Sequence, residues 1–473
     1  MRRTKIIATL GPSSTEPRVL LSLLRAGVDV ARLNLSHGTH AGHARVIAAL
    51  RRAAAVTGRA VAILADLQGP KARIGRLPGH QPVRLRSGES VTLSPRSPGR
   101  RPGVIPTSCR TLARDVRRGD PILLDDGRLE LRVLRARGGD VLCRVVSGGL
   151  LLENKGMNLP LTPIGSPSLT AKDRADLDFA LRQGVDYVAL SFVRRAEDIE
   201  RVRRLVRGRR GGVPLIAKLE LRAAVERLGE ILQAADGVMV ARGDLGVEVP
   251  LERVPVLQKA IVREANRMGV TVITATQMLE SMVEQPRPTR AEASDVANAI
   301  FDGTDAVMLS AETASGRHPL KAVAVMDRII RAAEESGLRT PGADEAPPRA
   351  AREVHAVAHA ARDAAGQAGA RAIVVYTQTG TTARLLSKLK PPCPIIAFAP
   401  SDAVRRRMAL YWGVLPLAMR LARSTDRMLA DGTRAILRAG ILAAGQRVVV
   451  VSGTSTRSGA TNLMKVHRLG ERT

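Results

Sequence analysis

Eight short apolar runs, separated by stretches long enough for helices, constrain this chain more than any other feature. They read KIIATL, VDVARLNL, AVAILADL, DYVALSF, LIAKLE, GVMVARGD, TVITAT and DAVMLS, all before residue 335. Strands joined by helix-length segments pair in parallel, because a crossover of that length returns the chain to the same end of the sheet. Eight such units close a (β/α)8 TIM barrel, so the fold class expected is α/β.

The spacing is regular except between the third run and the fourth. Residues 71 to 168 are rich in Gly, Pro and Arg, with candidate strands SVTLS, PILLDD, LELRVLRA and DVLCRVV between turn signals. This predicts an inserted small β-barrel or sandwich. The Pro- and Gly-bearing stretch 336–350 predicts a linker, and AIVVYTQT, PIIAFAP and QRVVVVSGT predict a second α/β domain. The division expected is 1–70 and 169–335 for the barrel, 71–168 for the inserted domain, 336–350 for the linker, and 351–473 for a C-terminal α/β domain.

Active sites of such barrels lie at the C-terminal ends of the strands, and nearly every run here ends in polar residues. Lys218 and Glu220 are two apart and share one side of a strand, as do Arg32, Asn34 and Ser36. Asp244 follows a glycine, where backbone amides can approach a ligand closely. Glu220 and Asp244 make a two-carboxylate site for a divalent cation, of the kind Mg²⁺ occupies with waters and substrate oxygens. Ringed by Lys218, Arg32 and Arg73, that site suits a phosphorylated anion. Each residue taken singly is an ordinary surface or core group; their convergence on one face gives them weight.

The stretches TKIIATLGPSS, RLNLSHG, DLQGPKAR, NKGMNLP, SFVR, IAKLE, VMVARGDLGVE and the long run from Ala275 to Gly316 resemble the pyruvate kinase family, in order and in domain arrangement. The resemblance implies transfer of the phosphoryl group of phosphoenolpyruvate to ADP, giving pyruvate and ATP in the last step of glycolysis. It implies Mg²⁺ (or Mn²⁺) on Glu220 and Asp244, and Lys218 against the moving phosphoryl group. Arg32 and Ser191 would bind substrate, with Arg73 across from Arg32, and the amides of Arg242, Gly243 and Asp244 with the hydroxyl of Thr276 would hold the carboxylate. Thr276 and Ser310 could relay a proton through water, the donor itself being left open. Asn34, His37, Arg73 and Lys155 match positions near the ADP phosphates.

In the best-known members of the family a K⁺ ion sits beside the substrate, and Asn34, Ser36, Asp66 and the Leu67 carbonyl match its ligands. Those members have Glu where this chain has Lys71. An ammonium there can supply the charge that K⁺ would bring, so activity without K⁺ is expected; the alternative is a Lys71 that points into solvent and a cation requirement that survives. Milder departures are Ala171, Ala311 and the pair Asn154 and Lys155, where two lysines are common. In the C-terminal part, Thr377, Thr379, Gly380, Thr381 and Thr382 precede or begin a helix and form an anion site, matching the family's site for a phosphorylated allosteric effector, with 452–462 as its covering loop. The resemblance also implies that 71–168 is a lid over the barrel mouth, that 351–473 is an effector domain, and that the enzyme is a homotetramer.

Composition bears on the rival classes. The formal charge of +30 would suit nucleic acid, but the arginines are spread over all three domains and only 2% of residues are aromatic, so no specific nucleic-acid partner is expected. A barrel lyase acting on oxo-acids would share the carboxylates but has no use for the lid; failure to bind ADP would favour it. No apolar run reaches membrane-spanning length, and the N-terminus lacks a signal-peptide cleavage site. Three scattered cysteines fit a reducing cytoplasm.

Overall fold

A computed structural model describes the chain except for residues 97–102, 161–167, 208–211, 339–351, 423, 454–460 and 472–473. Most of the linker expected at 336–350, and most of the covering loop expected at 452–462, lie outside the described residues.

The eight apolar runs form one closed parallel barrel. In chain order its strands are Lys5–Leu10, Val30–Asn34, Ala62–Asp66, Tyr187–Leu190, Leu215–Leu219, Gly237–Ala241, Thr271–Ala275 and Ala306–Leu309. The first pairs with both the second and the last, so no edge is left to solvent. Each strand is buried on both faces, and alternation divides its side chains between two cores. Ile7, Val30, Leu64, Ala189, Ile216, Met239, Ile273 and Met308 fill the barrel interior. Ile6, Ala31, Ile63, Val188, Ala217, Val238, Val272 and Val307 pack outward against the helices.

The same alternation aims the site. Continuing by twos from the interior residues gives Arg32 and Asn34 after Val30, Asp66 after Leu64, Ser191 after Ala189, Lys218 and Glu220 after Ile216, and Ser310 after Met308. A strand that is apolar at depth thus becomes polar at the barrel mouth.

The inserted segment contains a six-stranded sheet, which includes Ser90–Ser94, Pro121–Leu124, Leu129–Arg137 and Asp140–Ser147, and a separate two-stranded pair. It has a core of its own, built on Leu93, Ile122, Leu131, Val133, Val141 and Cys143. The chain leaves the barrel at Gly69, whose φ of 69° is left-handed. A Cβ there would lie 2.9 Å from the Phe192 ring and 3.0 Å from the Ser191 carbonyl, so only glycine fits. Asp173 fixes this exit. One of its oxygens accepts from the Gly69 amide at 3.0 Å, and the other closes a capping box with Thr170 at the start of helix Ala171–Arg182.

The C-terminal domain has a five-stranded sheet, four strands parallel and Thr461–Arg468 antiparallel at the edge. It docks at the N-terminal ends of the barrel strands. Asp305, directly before the last barrel strand, receives Lys388 and Lys390 at 2.5 Å each. Asp186, directly before the fourth, receives Arg406 at 2.9 Å, and Lys5 donates to the Val414 carbonyl at 2.7 Å. No described helix is long and apolar enough to cross a membrane.

Candidate active site

Three strand ends, those of the second, third and fifth barrel strands, bring Arg32, Asp66, Lys218 and Glu220 into one buried cluster, each 9% exposed or less. Arg32 meets Asp66 at 2.6 Å and donates to Thr9 Oγ1 at 3.0 Å. Lys218 Nζ lies 2.8 Å from Glu220, 2.7 Å from Ser191 Oγ and 3.4 Å from Asp66. Glu220 also accepts from the Phe192 amide at 2.6 Å. Two cations face two anions here, and charge left unpaired at this depth would be costly.

The electrostatics are uneven. Burial pushes the Asp66 carboxyl up, but the Lys218 and Arg32 charges outweigh it and hold it below the usual carboxylate range. Burial likewise opposes the charge on Lys218, yet Asp66 and Glu220 lift its ammonium above the ordinary lysine value. Glu220 is lifted instead: burial raises its carboxyl against the pull of Lys218, and the facing Asp244 charge adds to the rise. Two facing carboxylates, one short of positive charge, make an oxygen donor set that fits a small hard divalent cation. Among the described residues there is no group of three or more His, Cys, Asp or Glu that could hold a metal.

Asp244 sits in the first turn of helix Arg242–Glu248, which follows the sixth strand. The Gly243 amide donates to Thr276 Oγ1 at 2.8 Å, so the seventh strand's hydroxyl and this helix start converge. Thr276 and Gln277 have φ of 66° and 53°, an unfavourable region for a β-branched residue. The Arg242 guanidinium holds them there, donating to both carbonyls at 2.8 and 3.0 Å while anchored by Asp295 at 2.7 Å. Ser310 Oγ is buried and has no hydrogen-bond partner among the described residues, a hydroxyl available to a bound molecule.

Arg32, Asn34, His37 and Ser310 line a cavity of about 1100 Å³ that extends to Arg45 and Arg52 on helix His40–Thr57. Asn34 Oδ1 accepts the Ser36 amide at 3.1 Å, and Leu67 O accepts from Ser191 Oγ at 2.8 Å. The lid cations lie elsewhere. Arg73 donates to the Asn154 carbonyl at 2.9 Å and Lys155 pairs with Asp125 at 2.8 Å, both within the lid, rather than facing Arg32 or the nucleotide side. Lys71 neither points into solvent nor pairs with Asp66: its ammonium lies 2.9 Å from Asp244, with the Phe192 ring 5.8 Å away.

Residues 1–323 match the pyruvate kinase barrel domain, and residues 355–467 the pyruvate kinase alpha/beta domain. The chain belongs to the pyruvate kinase family. A pyruvate kinase of Mycobacterium intracellulare is 46% identical over 473 residues, covering 99% of each chain. One from Corynebacterium glutamicum is 46% identical over 475 residues, covering 100% of this chain and 98% of the other. A crystal structure of a pyruvate kinase from Cryptosporidium parvum superposes with a TM-score of 0.91 at 34% identity, over 99% of this chain and 96% of that one. Membership carries the enzyme class, with the family's phosphoenolpyruvate, ADP, pyruvate and ATP, and its general need for a divalent metal.

Three positioning groups escaped the sequence reading of this pyruvate kinase fold. Phe192 offers its amide to Glu220 because its own backbone is left-handed, at φ 56°. The fully buried Glu312 ties the Ser310 amide at 2.7 Å to the Leu279 amide at 3.1 Å. The Arg242 side chain clamps Thr276, whereas only its amide drew notice. An acidic residue two places after a strand-end serine was the one available signal, for Glu312. Nothing in sequence marks Phe192.

In the C-terminal domain, Gly380 at φ 86° leads into helix Thr381–Lys388, and its amide donates to Thr377 Oγ1 at 3.0 Å. Thr379 and Thr381 share a hydrogen bond at 3.0 Å, and Thr382 bonds Thr461 at 2.7 Å.

Proposed function

We propose that this chain is a Mg²⁺-dependent pyruvate kinase of the cytoplasm that works in glycolysis without K⁺ and answers to a phosphorylated effector. The inward convergence of Arg32, Asp66, Lys218 and Glu220 beside Asp244 is the observation that supports the reaction. Glu220 and Asp244 would hold Mg²⁺, which when bound supplies positive charge beside phosphoryl and carboxylate oxygens.

Lys218 is anchored at 2.7 Å by Ser191 and places its ammonium against the equatorial oxygens of the phosphoryl group as charge spreads over them. Arg32 orients the same group, its guanidinium held by Asp66 and Thr9. The amides of residues 242 to 244 and Thr276 Oγ1 hold the carboxylate of the substrate. Thr276 and the unpartnered Ser310 hydroxyl pass a proton, through water, to the enolate carbon left behind. Asn34 and His37 take the nucleotide phosphates in the large cavity, and Arg73 and Lys155 reach them when the lid moves to exclude water.

Lys71 carries a built-in cation to the edge of the cluster, 2.9 Å from Asp244, and this supports independence from K⁺. The test is pyruvate formation from phosphoenolpyruvate, ADP and Mg²⁺ in Tris buffer, with KCl against a tetramethylammonium salt at equal ionic strength. Equal rates are expected. A steep rise with K⁺ would leave the kinase standing and remove this role of Lys71; no pyruvate in either buffer would remove the kinase itself.

The threonine-rich start of helix Thr381–Lys388 supports an effector bearing phosphate. Sugar phosphates or AMP at low phosphoenolpyruvate are expected to raise the rate. No change with any of them would exclude this part of the proposal.

A further inference from the structure

Among the described residues, two polar links run from the lid to the same short barrel helix, Arg242–Glu248. Lys71 Nζ reaches Asp244 at 2.9 Å, and Asn158 Nδ2 donates to Glu248 at 3.1 Å. Lys71 is the second residue past Gly69, and its stem lies against the lid's own backbone: a Cβ on Gly156 would come within 3.0 Å of its Cε. The side chain therefore spans from lid to barrel, and its ammonium ends on a carboxylate assigned above to the divalent cation.

The two carboxylates of that site differ in how they hold their lysines. Glu220 holds Lys218, which also has Ser191 at 2.7 Å and Asp66 at 3.4 Å and so keeps partners if Glu220 turns to a metal. Asp244 holds Lys71, and among the described residues it is the only carboxylate within ion-pair distance of that ammonium. A cation that takes Asp244 leaves Lys71 with no anion of its own.

We propose that Lys71 is the internal counter-cation of Asp244 in the metal-free enzyme, and that Asp244 exchanges it for the divalent cation, so that loading the metal unlatches the lid from the Arg242–Glu248 helix. The proposal rests on the metal reading above and deepens it. Coupling of this kind is reciprocal: whatever Lys71 takes from metal affinity, the metal takes from the lid contact. Freed Lys71 stays at the edge of the cavity it lines with Phe192 and Glu248, where an incoming anionic substrate gives it a new partner. The metal thereby prepares a cation for the substrate.

The experiment measures Mn²⁺ binding to the full-length enzyme without substrates, by electron paramagnetic resonance of the free ion, in wild type, Lys71→Gln, Lys71→Arg and Glu220→Gln. Removing a partly exposed competing ammonium is expected to tighten Mn²⁺ by about three- to tenfold in Lys71→Gln, with Lys71→Arg close to wild type. Mn²⁺ is also expected to speed hydrogen exchange around residues 70 to 76 in wild type and not in Lys71→Gln, where the latch is already open. Unchanged or weaker Mn²⁺ binding by Lys71→Gln, with Glu220→Gln weakened, overturns the exchange and leaves the metal site standing. Wild-type affinity in Glu220→Gln, or no binding at all by wild type, removes the metal assignment and the proposal with it.

Discussion

Lys218→Met is expected to lower kcat by about a thousandfold while the protein still folds. The estimate follows from what an electrostatic donor aimed at developing charge contributes in a water-excluded site, roughly 3–4 kcal/mol. Methionine keeps the unbranched length of lysine, so the apolar stem still fills its place above Ile216 and only the ammonium is lost. That ammonium sits 2.8 Å from Glu220 and 2.7 Å from Ser191, and the neighbouring Arg32 does not replace it, being committed to Asp66 at 2.6 Å. The substitution leaves Asp66 and Glu220 facing one cation fewer, so a lowered melting temperature is expected as well. Steady-state pyruvate formation together with a thermal melt checks both. Normal turnover in a folded variant would contradict the role of Lys218 at the phosphoryl group.

The second large effect concerns stability. Asp305→Ala removes a carboxylate that is 1% exposed and holds Lys388 and Lys390 at 2.5 Å each, along with the Val272 amide at 2.8 Å. The buried Lys388 ammonium would lose its carboxylate and Lys390 one of its partners, and deleting one partner of a buried pair costs about 3–5 kcal/mol. The loss falls on docking of the C-terminal domain against the barrel, so calorimetry is expected to show that domain unfolding earlier than in wild type. An unchanged melt would mean that the lysines find water or other partners.

Burial raises the Asp305 carboxyl, but its two lysines outweigh this and hold it below the ordinary carboxylate range. Its contribution to stability is therefore complete above the unfolded value, near pH 4, and is lost as pH falls through the lower folded one. Asp305→Ala should lack that part of the acid transition.

Residue spacing carried a large share of this fold. Parallel strands buried on both faces read as continuous apolar runs, and all eight barrel strands announced themselves in this way. Period-two alternation then carried Arg32, Asp66, Lys218 and Glu220 to the interior side of their strands, which is why residues far apart in sequence could be assigned to one cluster. The four longer lid strands were as legible, because turn residues bracket them, whereas the short strands Val83–Leu85, Val104–Pro106, Gly149–Leu151 and Met157–Asn158 carry too few residues to show a pattern. Lys71, Arg73 and Lys155 were harder to place. They sit on a lid whose position against the barrel no local pattern encodes, and each side chain is long enough to choose among several partners.

Sequence by itself determined the barrel, the inward aim of its strand-end charges and the family, because alternation and strand length are local rules that hold whatever the rest of the chain does. Only the tertiary structure decided which charge meets which: that Lys71 latches Asp244, that Arg242 clamps a left-handed Thr276, and that Asp305 receives two lysines from another domain. Those pairings depend on where whole domains come to rest, and the energy that selects among them comes from burying charge between elements that are distant in the chain.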